Sequence, residues 1–136
     1  MRKSEKNIEK DLYKLVVASP LATMIAGKVY RKGMRPENSV QEDIVVKFLA
    51  GRESQIQKGQ LLLNVYVSDK TQMGTTRLVE NTSRVEQLED AIIAFLDSHP
   101  SSEYLYELED SPNSLEVEGI SQHVITARIN YQRITE

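Results

Sequence analysis

From Ile125 to Gln132 the chain alternates strictly, with Ile125, Ala127, Ile129 and Tyr131 on one side and Thr126, Arg128, Asn130 and Gln132 on the other. Successive side chains of a strand point to opposite faces, so this period of two describes a long strand with one apolar and one wetted face. Such a strand needs neighbours in a sheet and a cover for one side only. The cover is written in "RVEQLEDAIIAFLDSHP", where Val85, Leu88, Ile92, Phe95 and Leu96 share one helical face while Glu86, Glu89 and Asp90 point elsewhere. Leu78 falls on the same stripe, which predicts a helix starting near Thr75 or Thr76 and ending before Pro100, with Ser98 and His99 at its end. Each large side chain fully buried against the sheet contributes about 1.5–3 kcal/mol.

The remaining elements follow from the same two periods. Ile8, Leu12, Leu15 and Val16 form a helical stripe behind Ser4 as N-cap, ending near Ala18. Ser19 and Pro20 read as a second N-cap and first helical residue for a short turn through Leu21, Met24 and Ile25, with Gly27 as its stop. Val29 and Tyr30 predict a short strand, Asp43–Ala50 and Gln60–Val67 two longer ones, and the polar link "GRESQIQKG" a long hairpin loop between them. Tyr104, Tyr106 and Leu108 alternate with Leu105, Glu107 and Glu109, and "DSPN" reads as a turn before Leu115–Val117. The expected fold is α+β: an antiparallel or mixed β-sheet with an N-terminal helix and one long helix packed on one face, a single domain over residues 1–136.

Composition removes several kinds of chemistry. The chain has no cysteine, so disulfides, thiolate nucleophiles and cysteine metal sites are absent and synthesis in a reducing cytoplasm is expected. Glu9, Lys10, Asp11 and Lys14 interrupt the first apolar run, so no signal peptide is read at the start, and no segment approaches the roughly 18 apolar residues of a membrane span. With 17 Lys and Arg against 20 Asp and Glu, scattered along the chain, the net charge of −3 disfavours a dedicated nucleic-acid binder and leaves room for passive passage of DNA.

Catalytic and ligand motifs are missing. His99 and His123 lie in different elements without metal-ligand spacing, and read as helix-end and strand-surface residues. The glycines are isolated and build no phosphate loop, and no GxSxG elbow occurs. Glu107, Glu109 and Asp110 with Glu116 and Glu118 form an expected acidic hairpin, whose metal-nuclease reading is weaker than that of a solvated edge. Tyr104 and Tyr106 lack interleaved cations, so a core or interface face fits them better than a stacking platform. No catalytic residue, cofactor, metal or small-molecule ligand is expected.

The succession "DLYKLVVASPLATMIAGKVYRKGMRP", "EDIVVKFL", "QLLLNVYV", "RVEQLEDAIIAFLD" and "HVITARINYQRI" resembles the tail terminator, or tail completion, proteins of long-tailed bacteriophages. The likeness includes the run Leu21, Met24, Ile25, Gly27, Val29 and Tyr30 and covers nearly the whole chain. It implies a non-enzymatic subunit, made in the bacterial cytoplasm and carried in the virion tail. Its copies would close as a ring, a hexamer by the resemblance, on the tail tube and offer a surface to the head connector. A ring needs heterologous contacts that close. The loops Arg52–Lys58 and Ser68–Thr75 are available to make them, with Arg52, Ile56, Lys58 and Met73 as candidate interface residues; Ile56 and Met73 either anchor in a neighbour or tuck back on their own domain. A generic oligomeric adaptor that binds a partner through a sheet edge is the competing reading.

Overall fold

The computed structural model of the protein describes residues 2–52 and 56–134. In chain order the elements are α1 (Glu5–Val17), α2 (Pro20–Met24), β1 (Val29–Arg31), β2 (Ile44–Arg52), β3 (Ile56–Ser68), β4 (Lys70–Thr71), β5 (Leu78–Val79), α3 (Thr82–Asp97), β6 (Tyr104–Leu108), β7 (Asn113–Glu116) and β8 (Gln122–Ile134). The fold is α+β. A mixed sheet runs in the order β1, β2, β3, β8, β6, with β7 also on β8, while β4 and β5 form a separate small hairpin. Among the described residues only β1 and β2 pair in parallel.

The alternation at Ile125–Tyr131 marks the centre of this sheet. β8 is paired with β3 from Ile56↔Ile134 to Ser68↔Gln122, so its inward residues meet Leu61, Leu63 and Val65 of the same face. Against that face α1 buries Ile8, Leu12 and Val16, and α3 buries Val85, Leu88, Ile92, Phe95 and Leu96, in one continuous cluster with Ile44, Val46, Tyr104 and Tyr106. The opposite face carries Lys47, Asn64, Thr126 and Asn130 and, among the described residues, has no helix. Both long helices have the side-chain caps that free backbone N–H groups need: Ser4 Oγ accepts from Asn7 N at 3.3 Å, and Asn81 Oδ1 accepts from Arg84 N at 3.4 Å. Among the described residues no helix is long and apolar enough to cross a membrane.

Four local expectations are corrected. The long helix begins at Thr82, not at Thr75 or Thr76, because Asn81 caps it and residues 70–79 pair as the β4–β5 hairpin; Leu78 is 48% exposed there instead of facing the core. "GRESQIQKG" is mostly strand. Gly51 and Gly59 are cross-strand partners, not loop ends, and a Cβ on Gly59 would lie 2.8 Å from the Tyr131 ring and 2.1 Å from Ala50 O. Gly27 is not a left-handed helix stop either; a Cβ there would come within 2.0 Å of Asp43 Oδ1, so its role is close approach. Ser19 does stand at the N-cap of α2 with Pro20 as its first residue, as expected, although its hydroxyl donates back to Val16 O at 2.6 Å and makes no capping bond. Finally, "DSPN" does not reverse the chain: β6 and β7 lie one after the other along the same edge of β8, so the acidic residues do not form a hairpin.

Candidate functional site

The buried polar groups fall into clusters that tie loops to the sheet. Residues 32–43, which connect the parallel pair β1 and β2, are held by Asp43 and Arg35. Asp43, 1% exposed, accepts from Lys28 N at 2.9 Å through Oδ1, and from Arg35 Nε at 2.9 Å and Ser39 Oγ at 2.7 Å through Oδ2. The Arg35 guanidinium also donates to Gln41 O at 3.1 Å and to Gln122 Oε1 at 3.1 Å, and lies 3.8 Å over the Tyr66 ring. Burial pushes the Asp43 carboxyl up, and the Lys28, Ser39 and Arg35 donors more than reverse this, leaving it below the ordinary carboxylate range. With its strong acceptor positions taken by protein donors, this carboxylate is a structural fastener and not a free base.

Three further fasteners work alike. Glu42 takes Arg84 in a fork, Nε to Oε2 at 3.0 Å and Nη2 to Oε1 at 2.6 Å, and so joins α3 to the start of β2. Glu9, buried in α1, accepts from Arg31 Nε at 3.0 Å and from Phe48 N at 3.3 Å, occupying an edge N–H of β2 beyond the end of β1. Asp11 accepts from Lys3 Nζ and Tyr104 OH, both at 2.7 Å; burial raises its carboxyl, and these two donors bring it below the usual range.

His123 makes a different kind of contact. Its Nδ1 is 2.6 Å from Asp69 Oδ1, so the ring donates there, and its Nε2 faces Glu80 Oε2 at 3.8 Å. Ser114 Oγ donates to the same Glu80 oxygen at 2.5 Å, and Asp69 N donates to Ser121 O at 2.9 Å. Asp69 and Glu80 are the two ends of the β4–β5 arm. The clasp therefore grips the arm only at its base, while Lys70, Thr71 and residues 72–78 are exposed. The strand-surface reading of His123 missed this because its partner Asp69 is 54 residues away.

The expected interface residues separate into two places. Arg52 and Lys58 are cross-strand partners at one end of β2 and β3, where Lys58 is exposed; the side chains of Arg52 and Ile56 lie outside the described residues, as do residues 53–55 of the expected loop. Met73 lies beyond the other end of β3, whose last residue, Ser68, is about 33 Å along the strand from Lys58 at the usual rise per residue. Met73 is 97% exposed and does not tuck back on its own domain.

An apolar groove lies elsewhere on the molecule, among the helices. It lies between α1, α2 and α3, has a volume of about 360 Å³, and is floored by Leu15, Leu21, Met24 and Phe95. Its two hydroxyls are already used, Ser19 Oγ on Val16 O and Ser98 Oγ on Phe95 O, each at 2.6 Å. The lining therefore offers no free side-chain hydroxyl to orient a small polar ligand. Tyr104 and Tyr106 stack on one another at 5.3 Å inside the core and offer no platform to a nucleic acid base. Among the described residues no three His, Cys, Asp or Glu side chains converge as a metal set. No protein-family model matches the sequence, and no curated protein matches it.

Proposed function

We propose that the protein is a structural subunit of a phage or prophage tail, of the tail-terminator kind, whose copies close into a ring on the tail tube and join it to the head connector. The observation that carries this reading is the β4–β5 arm: a hairpin fastened at its base that holds an almost fully exposed methionine away from its own core. An exposed apolar tip on a polar hairpin costs solubility and gains nothing within one chain, so a neighbour is its natural destination. The resemblance in element order adds the ring, the tube and the connector to that neighbour, and a mildly acidic subunit suits a channel through which DNA slides without sticking.

Sheet-edge adaptors are less well supported, because Glu9 already occupies Phe48 N on one edge and the β6–β7 edge is interrupted between Leu108 and Asn113. The test is the mass of the purified protein across a concentration series, by light scattering on a sizing column, with negative-stain images of the largest species and of purified tail tubes mixed with it. A closed ring with a central hole, free or seated on tube ends, is the expected result. A monomer or dimer at every concentration that also leaves tube ends bare overturns the proposal.

A further inference from the structure

The arm and the groove match in chemistry. Beside Met73 the arm carries two exposed cations, Lys70 and Arg77, neither of which has an ion-pair partner among the described residues. Beside the groove, α3 carries Asp90 and Asp97, four residues before and three residues after Ala94, on the same exposed side and also without a cation. The acidic character of α3 is felt by Glu89, whose carboxyl is raised by burial and by the neighbouring charges of Glu80, Asp90 and Glu86. No arm residue lines the groove of its own chain.

We infer that the arm docks in the helical groove of a second copy of this chain, with Met73 on the apolar floor between α1, α2 and α3 and with Lys70 and Arg77 against Asp90 and Asp97. The assignment rests on the ring reading and names its contact. A methionine suits such a place: its unbranched thioether fills an irregular apolar slot without needing a polar partner. Arm and groove are different surfaces, so a copy that gives its arm to one neighbour and receives the arm of another repeats head-to-tail, closing into a ring or continuing as a filament. Reciprocal exchange between two copies instead stops at a dimer and overturns the ring contact.

The absence of cysteine makes the test direct. Met73→Cys and Ala94→Cys both fall at exposed positions, so neither disturbs the core. Mild oxidation of the double variant is expected to give a ladder of covalent oligomers on a non-reducing denaturing gel, ending at the ring size, while each single variant stays monomeric on the same gel. A native oligomer that assembles without this crosslink overturns the docking and leaves the ring reading standing. Symmetric dimers of Met73→Cys alone, or its crosslink to tube protein instead, overturn the second copy as occupant. Neither oligomer nor crosslink at any concentration, with or without tube ends, overturns both. As a second readout, joint Lys70→Glu and Arg77→Glu substitution is expected to raise the concentration for assembly about tenfold, and adding Asp90→Lys and Asp97→Lys to restore it. Charge reversal without effect removes the rim pairs from the contact.

Discussion

Residues 32–43 and 69–80 are excursions of equal length from the same large sheet, yet one is absorbed into the domain and the other stands off it. The first is stitched along its length: Arg35 and Asp43 meet in near-complete burial, and Ser39, Gln41 and Gln122 complete their hydrogen bonds. The second is gripped only where it leaves and rejoins the body, by Asp69, Glu80 and His123, and its apex is in water. Met34 and Val40 are also exposed in the first excursion, so exposure alone does not separate the two. The difference lies in where the buried polar partners sit. Partners placed in the middle of an excursion make it structure, whereas partners placed only at its ends make it a rigid handle.

The comparison breaks first at Asp43. Asp43→Ala leaves the Arg35 charge without its counter-ion and Lys28 N without its acceptor, and is expected to lower stability by about 3–5 kcal/mol in urea unfolding. A loss below about 1 kcal/mol would show that the first excursion is not held as described. Gly27→Ala drives a methyl group into Asp43 Oδ1 and disturbs the same cluster from the other side, at about 1–3 kcal/mol in the same assay.

Acid sharpens the contrast. The folded-state Asp43 carboxyl titrates below its ordinary value of 3.8, so the stability it contributes is complete above that pH and drains as pH falls through the lower folded value. The stability gap between wild type and Asp43→Asn should therefore be constant from about pH 7 to 5 and narrow below 3.8. A gap that widens on acidification contradicts the assignment.

Smaller effects are expected at the arm. His123→Ala removes the donor between Asp69 and Glu80 and should cost about 1 kcal/mol globally. Hydrogen exchange should quicken mainly at residues 69–80, and uniform loss of protection across β3 and β8 would mean that the clasp holds the whole domain. The smallest change is expected at the apex, where Met73→Ser should leave the unfolding free energy of the monomer within about 0.5 kcal/mol of wild type. A larger loss would place Met73 in its own core after all.

What could be read without the structure was whatever depends on near neighbours in the chain. The alternation of Ile125 to Tyr131, the stripe from Val85 to Leu96 and the cap at Ser4 each express a repeat or hydrogen bond spanning a few residues. They set the α+β class and most of the core. Local signals misled where a residue had two possible uses: Gly51 and Gly59 look like loop ends but make room under Tyr131, and Leu78 fits the helical stripe but precedes the Asn81 cap. The candidate site was half legible. Met73 stood out as an apolar residue among polar ones, whereas the clasp beneath it and the groove that would receive it had no local sign.

Only the tertiary structure joined Arg35 to Gln122 across 87 residues, Arg84 to Glu42 across 42 and His123 to Asp69 across 54. Period and capping are decided within a turn or a strand step by backbone geometry. Ion-pair partners and strand order are decided by where the chain returns in space, when burying the common apolar face outweighs the entropy of closing the loops between. The amino-acid sequence by itself therefore determined which faces had to be buried, and the assembled sheet decided which excursion was left free to reach outward.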